Sequence, residues 1–182
     1  MSNGSNGIDN SFKEKTMKKI LVAAVFCAVL CSGAEVNLVP NPTGADNFKG
    51  WYRVPGSGIT AADGVITVTA NTAPKVNAFQ KAQCTLKLKS EEIQGKKFEI
   101  SFKYRTEKLD GSAQVTVREA FGSRGNYHGK ILKRWDVSKE WKEVKCPFTV
   151  RKDASSIAVF VAGRYMKAGE KVEIKDLKVV AK

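Results

Sequence analysis

Hydrophobic and polar residues alternate most regularly within residues 86–106 of the chain. The apolar positions there are Phe98, Ile100, Phe102 and Tyr104. The polar positions between them are Glu99, Ser101, Lys103 and Arg105. A period of two over this stretch predicts a β-strand that is buried on one side. The other side then presents two cations and a hydroxyl on a rigid support.

Short extended segments of the same kind recur along the rest of the chain. They cover residues 36–39, 50–54, 64–70, 76–88, 113–118, 131–137, 141–150, 157–162 and 171–180. Turns rich in Gly, Pro, Asn and Asp separate them, and no segment has a helical period. The pattern predicts an all-β protein, an antiparallel β-sandwich of about ten strands in a single domain.

The N-terminal region has a different composition and is not expected to join that domain. Residues 1–16 are polar, Lys18 and Lys19 follow, and residues 20–30 are apolar or small. Small residues at Ser32 and Ala34 complete the pattern of a secretory signal peptide, with cleavage after Ala34. The apolar stretch is too short for a transmembrane span, which needs about 20 residues. Residues 1–34 therefore read as a polar prefix plus leader, and 35–182 as the mature domain, which is secreted, periplasmic or at the cell surface.

The charge balance points to anionic partners. The chain carries 31 Lys+Arg against 18 Asp+Glu, a formal net charge of +13. A basic, exported protein is suited to acidic polysaccharides or other polyanions, and nucleic acid is not an expected partner outside the cell. The Lys residues are scattered along the chain, so the alternative is that they only keep the protein soluble.

Two cysteines belong to the predicted mature domain, Cys84 and Cys146, and each lies within a predicted strand. Export permits a disulfide. If the two strands are neighbours, the bridge would close a loop of about 62 residues and contribute ~4 kcal/mol in the chain-entropy model. The alternative is a pair of buried free thiols.

The order of these elements resembles that of the jelly-roll carbohydrate-binding modules with the galactose-binding-domain-like fold, particularly the group found beside cellulases and xylanases. The segments that carry the resemblance are 37–42, Gly50-Trp51, 79–81, 86–105, Trp141 with Phe148, Val159-Phe160 and 172–179. The resemblance implies a non-catalytic, glycan-binding jelly roll, with Trp51 and Trp141 in its core. It also implies a polysaccharide partner and a link to a separate glycan-active enzyme.

The same resemblance implies a structural calcium ion, although no other cofactor is expected. In the family, acidic residues after the first Asn-Gly/Pro and a pair of acids in the last strand hold this ion. Here these places read Thr43-Gly44-Ala45-Asp46 and Lys175-Asp176. Asp46 and Asp176 are the candidate ligands, and a lysine at 175 repels a cation where the family has an acid.

Sugar recognition combines flat aromatic faces with planar polar groups that form paired hydrogen bonds to hydroxyls, and arginine also pairs with carboxylate or sulfate. We predict one such patch on two strands and a second in a glycine-rich loop at 121–129. The patch comprises Lys103, Arg105, Gln114 and Arg118, with Thr116 beside them. The loop contributes Arg124, Asn126, Tyr127 and His128, and Trp135 follows it. The alternative for the strand patch is a solvated sheet face.

Two other functions fit the same residues. A structural or adhesion sandwich at the cell surface would keep the fold without a sugar site. A small polysaccharide lyase would use Gln114, Arg118, Tyr127 and His128. The chain has a single His, which excludes a histidine-based zinc site, and it lacks a Gly-x-Ser-x-Gly elbow and a phosphate-binding glycine loop. These absences favour a binding module over an enzyme.

Overall fold

The computed structural model describes residues 35–70, 79–122 and 124–182. Ten β-strands make up most of the regular structure of these residues. All ten belong to the compact unit Asn37–Lys182. The strands are β1 (Tyr52–Arg53), β2 (Ile59–Ala62), β3 (Val65–Thr69), β4 (Phe79–Thr85), β5 (Lys97–Thr106), β6 (Ser112–Phe121), β7 (Arg124–Leu132), β8 (Ser138–Thr149), β9 (Ser156–Arg164) and β10 (Lys171–Ala181). Three single turns of helical type accompany them: α1 (Ala45–Phe48) precedes β1, α2 (Ser90–Ile93) joins β4 to β5, and a 3-10 turn (Arg134–Asp136) joins β7 to β8. Among the described residues, no helix is long and apolar enough to cross a membrane.

The strands form two five-stranded antiparallel sheets. Sheet A has the order β1-β4-β9-β6-β7, and sheet B has the order β2-β3-β10-β5-β8. Each sheet contributes one apolar face to a shared core, which confirms the predicted β-sandwich. The predicted amphipathic strand is β5, in sheet B. Its burial alternates along its length, with Phe98, Ile100 and Phe102 at most 2% exposed.

Several local predictions differ from the structure. The predicted strand at 36–39 is absent, although the Leu38 N–H donates to the Val179 carbonyl at 2.8 Å. The predicted strand 131–137 ends at Leu132 and gives way to the 3-10 turn. The sequence pattern also missed β2. Part of the predicted strand 76–88, and the predicted leader at 1–34, lie outside the described residues.

Of the two alternatives for Cys84 and Cys146, the disulfide is wrong, because both residues are free thiols; Cys84 is buried and Cys146 is half-buried. Cys84 lies on β4, which is next to the β1 edge of sheet A, and its inward side chain is 2% exposed. Cys146 lies on β8, the edge strand of sheet B that contacts β7 on the opposite side of the sandwich. The two strands are therefore not neighbours. Burial raises the pKa of the Cys84 thiol to about 12, so it stays protonated and unreactive.

Candidate functional site

The outer face of sheet A, which points away from the core, carries most of the exposed recognition groups. The strand registers pair Phe160 with Gln83 on one side and with Thr116 on the other. They also pair Arg118 with Tyr127 across β6 and β7. Successive side chains of a strand point to opposite faces, and Val159 and Val161 on β9 are fully buried in the core. Phe160 and its neighbours therefore face outward.

Three aromatic side chains, here called the aromatic row, cross this face: Tyr52 on β1, Phe160 on β9 and Tyr127 on β7. Tyr52 and Tyr127 are 57% and 54% exposed, whereas Phe160 is covered and lies between them. The Tyr127 and Phe160 rings make an edge contact, with centroids 6.1 Å apart. Because neighbouring strands are about 4.8 Å apart, β1 and β7 lie about 19 Å from each other. The row is thus long enough to contact an extended oligosaccharide.

Cations stand beside the aromatic row. The Lys81 ammonium lies 5.8 Å from the centroids of both Tyr52 and Phe160, and the Arg118 guanidinium lies 5.8 Å from that of Tyr127. Within the described residues, neither cation has a carboxylate partner. No outward residue of sheet A that the structure describes is an Asp or a Glu. The face is therefore aromatic and positively charged, with no internal counter-charge.

Two polar atoms on this face are buried without a hydrogen-bond partner in the described part of the chain. They are the Thr116 hydroxyl and the Arg118 Nε. Thr116 lies under the aromatic row, opposite Phe160, and is 3% exposed. A buried polar group with no partner costs about 1–3 kcal/mol. Such groups are suited to a ligand hydroxyl or to a bridging water.

The predicted glycine-rich loop at 121–129 is wrong, because Phe121 ends β6 and residues 124–129 belong to β7. Phe121 pairs with Arg124, so the two strands are paired up to these residues. Gly129 is needed within β7. Its φ is +115°, and a Cβ there would lie 2.5 Å from the Val115 carbonyl oxygen. The glycines thus shape a tight hairpin rather than a mobile binding loop.

His128 and Tyr127 are neighbours in β7 and point to opposite sides of sheet A. The His128 ring stacks on Phe148 of sheet B, with centroids 4.5 Å apart, and its Nε2 forms a hydrogen-bonded pair with the fully buried Glu119. The second Glu119 oxygen accepts the Arg151 backbone N–H at 2.8 Å. His128 is therefore packed between the sheets, away from the aromatic row. This separation breaks up the constellation that a lyase would need.

The remaining predicted residues near the hairpin occupy different surroundings. Gln114 points outward on β6, close to the end of sheet A. Asn126 is exposed on β7. Arg124 begins β7, and its side chain lies outside the described residues. Trp135 belongs to the 3-10 turn after β7 and is 69% exposed, with the Lys133 ammonium 5.1 Å from its ring.

Lys103 and Arg105 lie on the outer face of sheet B, the opposite side of the sandwich from Gln114 and Arg118. The structure therefore does not bring these four residues into one patch. Lys103 forms an ion pair with Asp176 at 2.9 Å, and Arg105 pairs with Glu173. Both cations are thus matched by carboxylates on β10. Trp141, expected in the core, is half-buried on this outer face instead.

The ring of Trp141 is held by two cations from neighbouring strands. The Arg105 guanidinium is 4.8 Å and the Lys175 ammonium 4.2 Å from its centroid. Trp51, by contrast, is 9% exposed and donates its Nε1–H to the Pro40 carbonyl at 2.8 Å, as a core tryptophan should. Sheet B therefore presents an ion-paired outer face whose tryptophan is already occupied by its own cations.

The ion pairs of Glu173 predict a pH dependence of stability. The hydrogen bond from Arg105, together with the contact to Lys171 at 3.0 Å, lowers the pKa of the Glu173 carboxyl. A carboxyl whose pKa is lowered by folding stabilises the native state above its unfolded pKa of about 4.3, and this contribution is lost as the pH falls through the folded value. Glu173→Gln should therefore lower stability at pH 7 and reduce the loss between neutral and acidic pH, as measured by urea denaturation at both. An unchanged acid-induced loss would contradict this.

Asp46 and Asp176 do not fit a calcium ion. The Asp176 carboxylate is held by the Lys103 ammonium, which lowers its pKa, with Lys175 and Lys178 nearby. Asp46 lies in the left-handed turn α1, with φ near +48°. In the described part of the chain, no three His, Cys, Asp or Glu residues are grouped closely enough to hold a metal. The Lys103 ammonium thus supplies a positive charge directly at the Asp176 carboxylate.

Sequence reasoning missed Phe160 and Lys81 and left Tyr52 unassigned. A signal for Phe160 is present in β9, where outward-facing Ala158 and Ala162 flank it. A large ring between two alanines, on the side opposite the core valines, marks an outward-facing aromatic residue on which Tyr127 and Lys81 pack. Tyr52 follows the buried Trp51 directly, so alternation alone places Tyr52 on the outside.

Comparison with solved structures identifies carbohydrate-binding modules as similar folds. A family 16 carbohydrate-binding module-2 matches with a TM-score of 0.57 at 16% identity, over 79% of this chain and 99% of that chain. The CBM22-1 xylan-binding domain of Xyn10C from Paenibacillus barcinonensis matches with a TM-score of 0.53 at 13% identity, over 81% and 96%. The third match is a two-module fragment of Xyn10B from Clostridium thermocellum, CBM22-1 with GH10, complexed with xylohexaose. Its TM-score is 0.54 at 15% identity, over 82% of this chain and 29% of that chain.

No protein-family model matches the sequence, and no curated protein matches it. At these identities the likeness describes the fold and leaves the ligand open. This structural similarity is consistent with the two antiparallel sheets of the structure and with the family resemblance of the sequence. The chain therefore has the jelly-roll β-sandwich fold of the carbohydrate-binding modules.

Proposed function

We propose that the protein is a non-catalytic polysaccharide-binding domain that holds its ligand on the outer face of sheet A and favours acidic glycans. The observation that carries this proposal is the aromatic row, bordered by Lys81 and Arg118, on a face without carboxylates. Exposed tyrosine rings can stack on the apolar C–H faces of sugar rings. The two cations favour sugars that carry a carboxylate or sulfate.

The opposite face supports the proposal by contrast. Lys103 and Arg105 are paired with Asp176 and Glu173, and Trp141 is covered by cations. An anionic ligand on sheet B would have to displace these internal partners. On sheet A, Lys81 and Arg118 have no carboxylate to displace. Ligand binding therefore costs less reorganisation on sheet A.

Export and partnership with a separate enzyme complete the proposal. The sequence of residues 1–34 has the pattern of a secretory leader, and an exported domain would meet polysaccharides outside the cytoplasm. The Xyn10B fragment joins a module of this fold to a GH10 module within one chain. By analogy, this domain would work beside a separate glycan-active enzyme and hold it, or the cell, close to the polymer.

The proposal is tested by retention on columns of polygalacturonate and of its neutral, carboxyl-reduced form. We expect stronger retention on the acidic polymer. Retention should weaken as salt rises from about 0.1 M to about 1 M, because the Debye length falls from about 10 Å to about 3 Å. Two double variants, each of which removes two positive charges, show which face of the sandwich binds the polymer. Lys81→Gln with Arg118→Gln should lose retention on the acidic column, and Lys103→Gln with Arg105→Gln should keep it.

If instead the Lys103/Arg105 double variant loses retention and the Lys81/Arg118 double variant keeps it, the binding face is the outer face of sheet B. Absence of binding to both columns and to a broad glycan array would reject the proposed function. Circular dichroism of each variant controls for unfolding, since all four side chains lie on strand surfaces. New ultraviolet absorbance from unsaturated uronates during incubation would instead reveal a lyase.

A further inference from the structure

A groove of about 270 Å³ opens at the end of sheet A where β9 finishes. It is lined by Ser112, Gln114, Ile131, Lys133, Ala162, Gly163 and Arg164. Its floor combines small residues with the outward-facing Gln114 amide and the half-exposed Ile131. The lining contains two cations and no carboxylate. A groove of this composition provides an apolar floor, hydrogen-bonding groups and positive charge in one place.

Each of the two cations is held beside an exposed aromatic ring. The Arg164 guanidinium lies 4.8 Å from the centroid of Tyr165 and also donates to the Tyr165 hydroxyl at 3.1 Å. The Lys133 ammonium lies 5.1 Å from the centroid of Trp135. Tyr165 and Trp135 are 62% and 69% exposed. These contacts leave the positive charges un-neutralised, because an aromatic ring carries no net charge.

The acids closest in sequence to this groove already have cationic partners. Asp136 receives the Lys130 ammonium at 2.6 Å, and Asp110 receives that of Lys167 at 3.4 Å. Neither Lys133 nor Arg164 forms an ion pair with a carboxylate of the described residues. The positive charge of the groove therefore remains available to a ligand.

The groove also continues the face that carries the aromatic row. Arg164 follows Phe160 by four residues on β9, and both point outward. At about 3.3 Å per residue, they are roughly 13 Å apart along the strand. A polysaccharide that contacts the aromatic row can reach the groove with a second sugar residue.

We propose that this groove is an anion-recognising subsite that takes a carboxylate- or sulfate-bearing sugar residue between Lys133 and Arg164, while the aromatic row holds the preceding sugar residues of the same chain. The inference rests on the proposed function and adds to Lys81 and Arg118 a second pair of cations that strengthens the preference for acidic over neutral glycans. Arg164 would pair with the anionic group in a fork of two N–H donors, and Gln114 would bind an adjacent hydroxyl. The charge discrimination would then be separable from glycan binding itself.

The test is isothermal titration calorimetry with three oligosaccharides of equal length: a galacturonic acid oligomer, the neutral galactose oligomer and a sulfated galactose oligomer. The wild type should bind one or both anionic oligomers more tightly than the neutral one, and the preferred oligomer identifies the anionic group. Lys133→Gln with Arg164→Gln should weaken anionic binding by at least about tenfold, the loss expected for even one charge-assisted hydrogen bond. Binding of the neutral oligomer should change by less than about twofold, as for substitutions outside its contacts.

Lys87→Gln with Lys152→Gln provides the charge-matched control, because both lysines are exposed and lie beyond the opposite end of sheet A. This control should retain the wild-type preference. If the Lys133/Arg164 double variant keeps the full wild-type ratio of anionic to neutral affinity, or if the control loses that ratio equally, the subsite is overturned and the proposed function stands. If the wild type binds no oligomer at all, both the subsite and the proposed function are overturned.

Discussion

Replacing Tyr52 and Tyr127 together by alanine is expected to abolish measurable glycan binding while leaving the fold intact. Both rings are more than half exposed and stand at opposite edges of sheet A. Truncating an aromatic residue that carries much of the binding energy costs about 2 kcal/mol or more, so two such losses together reduce affinity on the order of 1,000-fold. Neither side chain belongs to the buried core, so stability should change by less than about 1 kcal/mol. Calorimetry with the bound glycan and urea denaturation measure the two effects separately.

The tyrosine hydroxyls can be separated from the rings by conservative variants. Tyr127→Phe keeps the stacking surface and the edge contact with Phe160, so most affinity should remain. Val137→Ala removes an apolar group that is 42% exposed in the turn between the sheets and should leave binding unchanged. A double alanine variant that binds as tightly as the wild type would place the glycan elsewhere. The groove variants at Lys133 and Arg164 would then become the first test of another site.

The fold could be predicted because its determinants are local. Alternation in β5 and β10 and the turn residues between strands specify an all-β chain without knowledge of distant contacts. The hairpin at Gly122 was misassigned because its glycines look like a loop signal. Gly129 instead lies within a strand, where the close Val115 carbonyl leaves no room for a side chain. A glycine required by packing and one required by a turn look the same in a sequence.

The candidate site was predicted less well, because membership of a face depends on sheet order. Lys103 and Arg118 lie on well-predicted strands, yet those strands belong to different sheets. A chain that crosses repeatedly between two sheets separates consecutive strands, and local pattern cannot show which strand enters which sheet. The same crossing brings Tyr52, Phe160 and Tyr127, which are far apart in sequence, onto one face of sheet A. Cys84 and Cys146 show the opposite case. Their strands were both predicted, but β4 belongs to sheet A and β8 to sheet B, so the two cysteines are not neighbours.

The orientation of Tyr127 depends on its neighbour His128. Because adjacent residues in a strand point to opposite faces, a His128 side chain fixed between the sheets directs Tyr127 outward. His128 is fixed by stacking on Phe148 and by its pairing with the buried Glu119 carboxylate. Glu119 also accepts the Arg151 backbone N–H, so it joins β7 to the end of β8. The carboxylate therefore stabilises both the sandwich and the hairpin that presents the binding surface.

Replacing Glu119 by alanine is expected to lower the free energy of unfolding by about 3–5 kcal/mol, because it leaves His128 and the Arg151 N–H without a partner and opens a cavity. Glu119→Gln keeps the shape and one acceptor and should cost about 1–2 kcal/mol. Glu143→Ala, which removes an exposed acid paired with Lys145 at 3.3 Å, should cost less than about 1 kcal/mol. Urea denaturation followed by tryptophan fluorescence gives all three values. A loss below about 1 kcal/mol for Glu119→Ala would mean that the carboxylate does not hold the hairpin, and the outward orientation of Tyr127 would then need another cause.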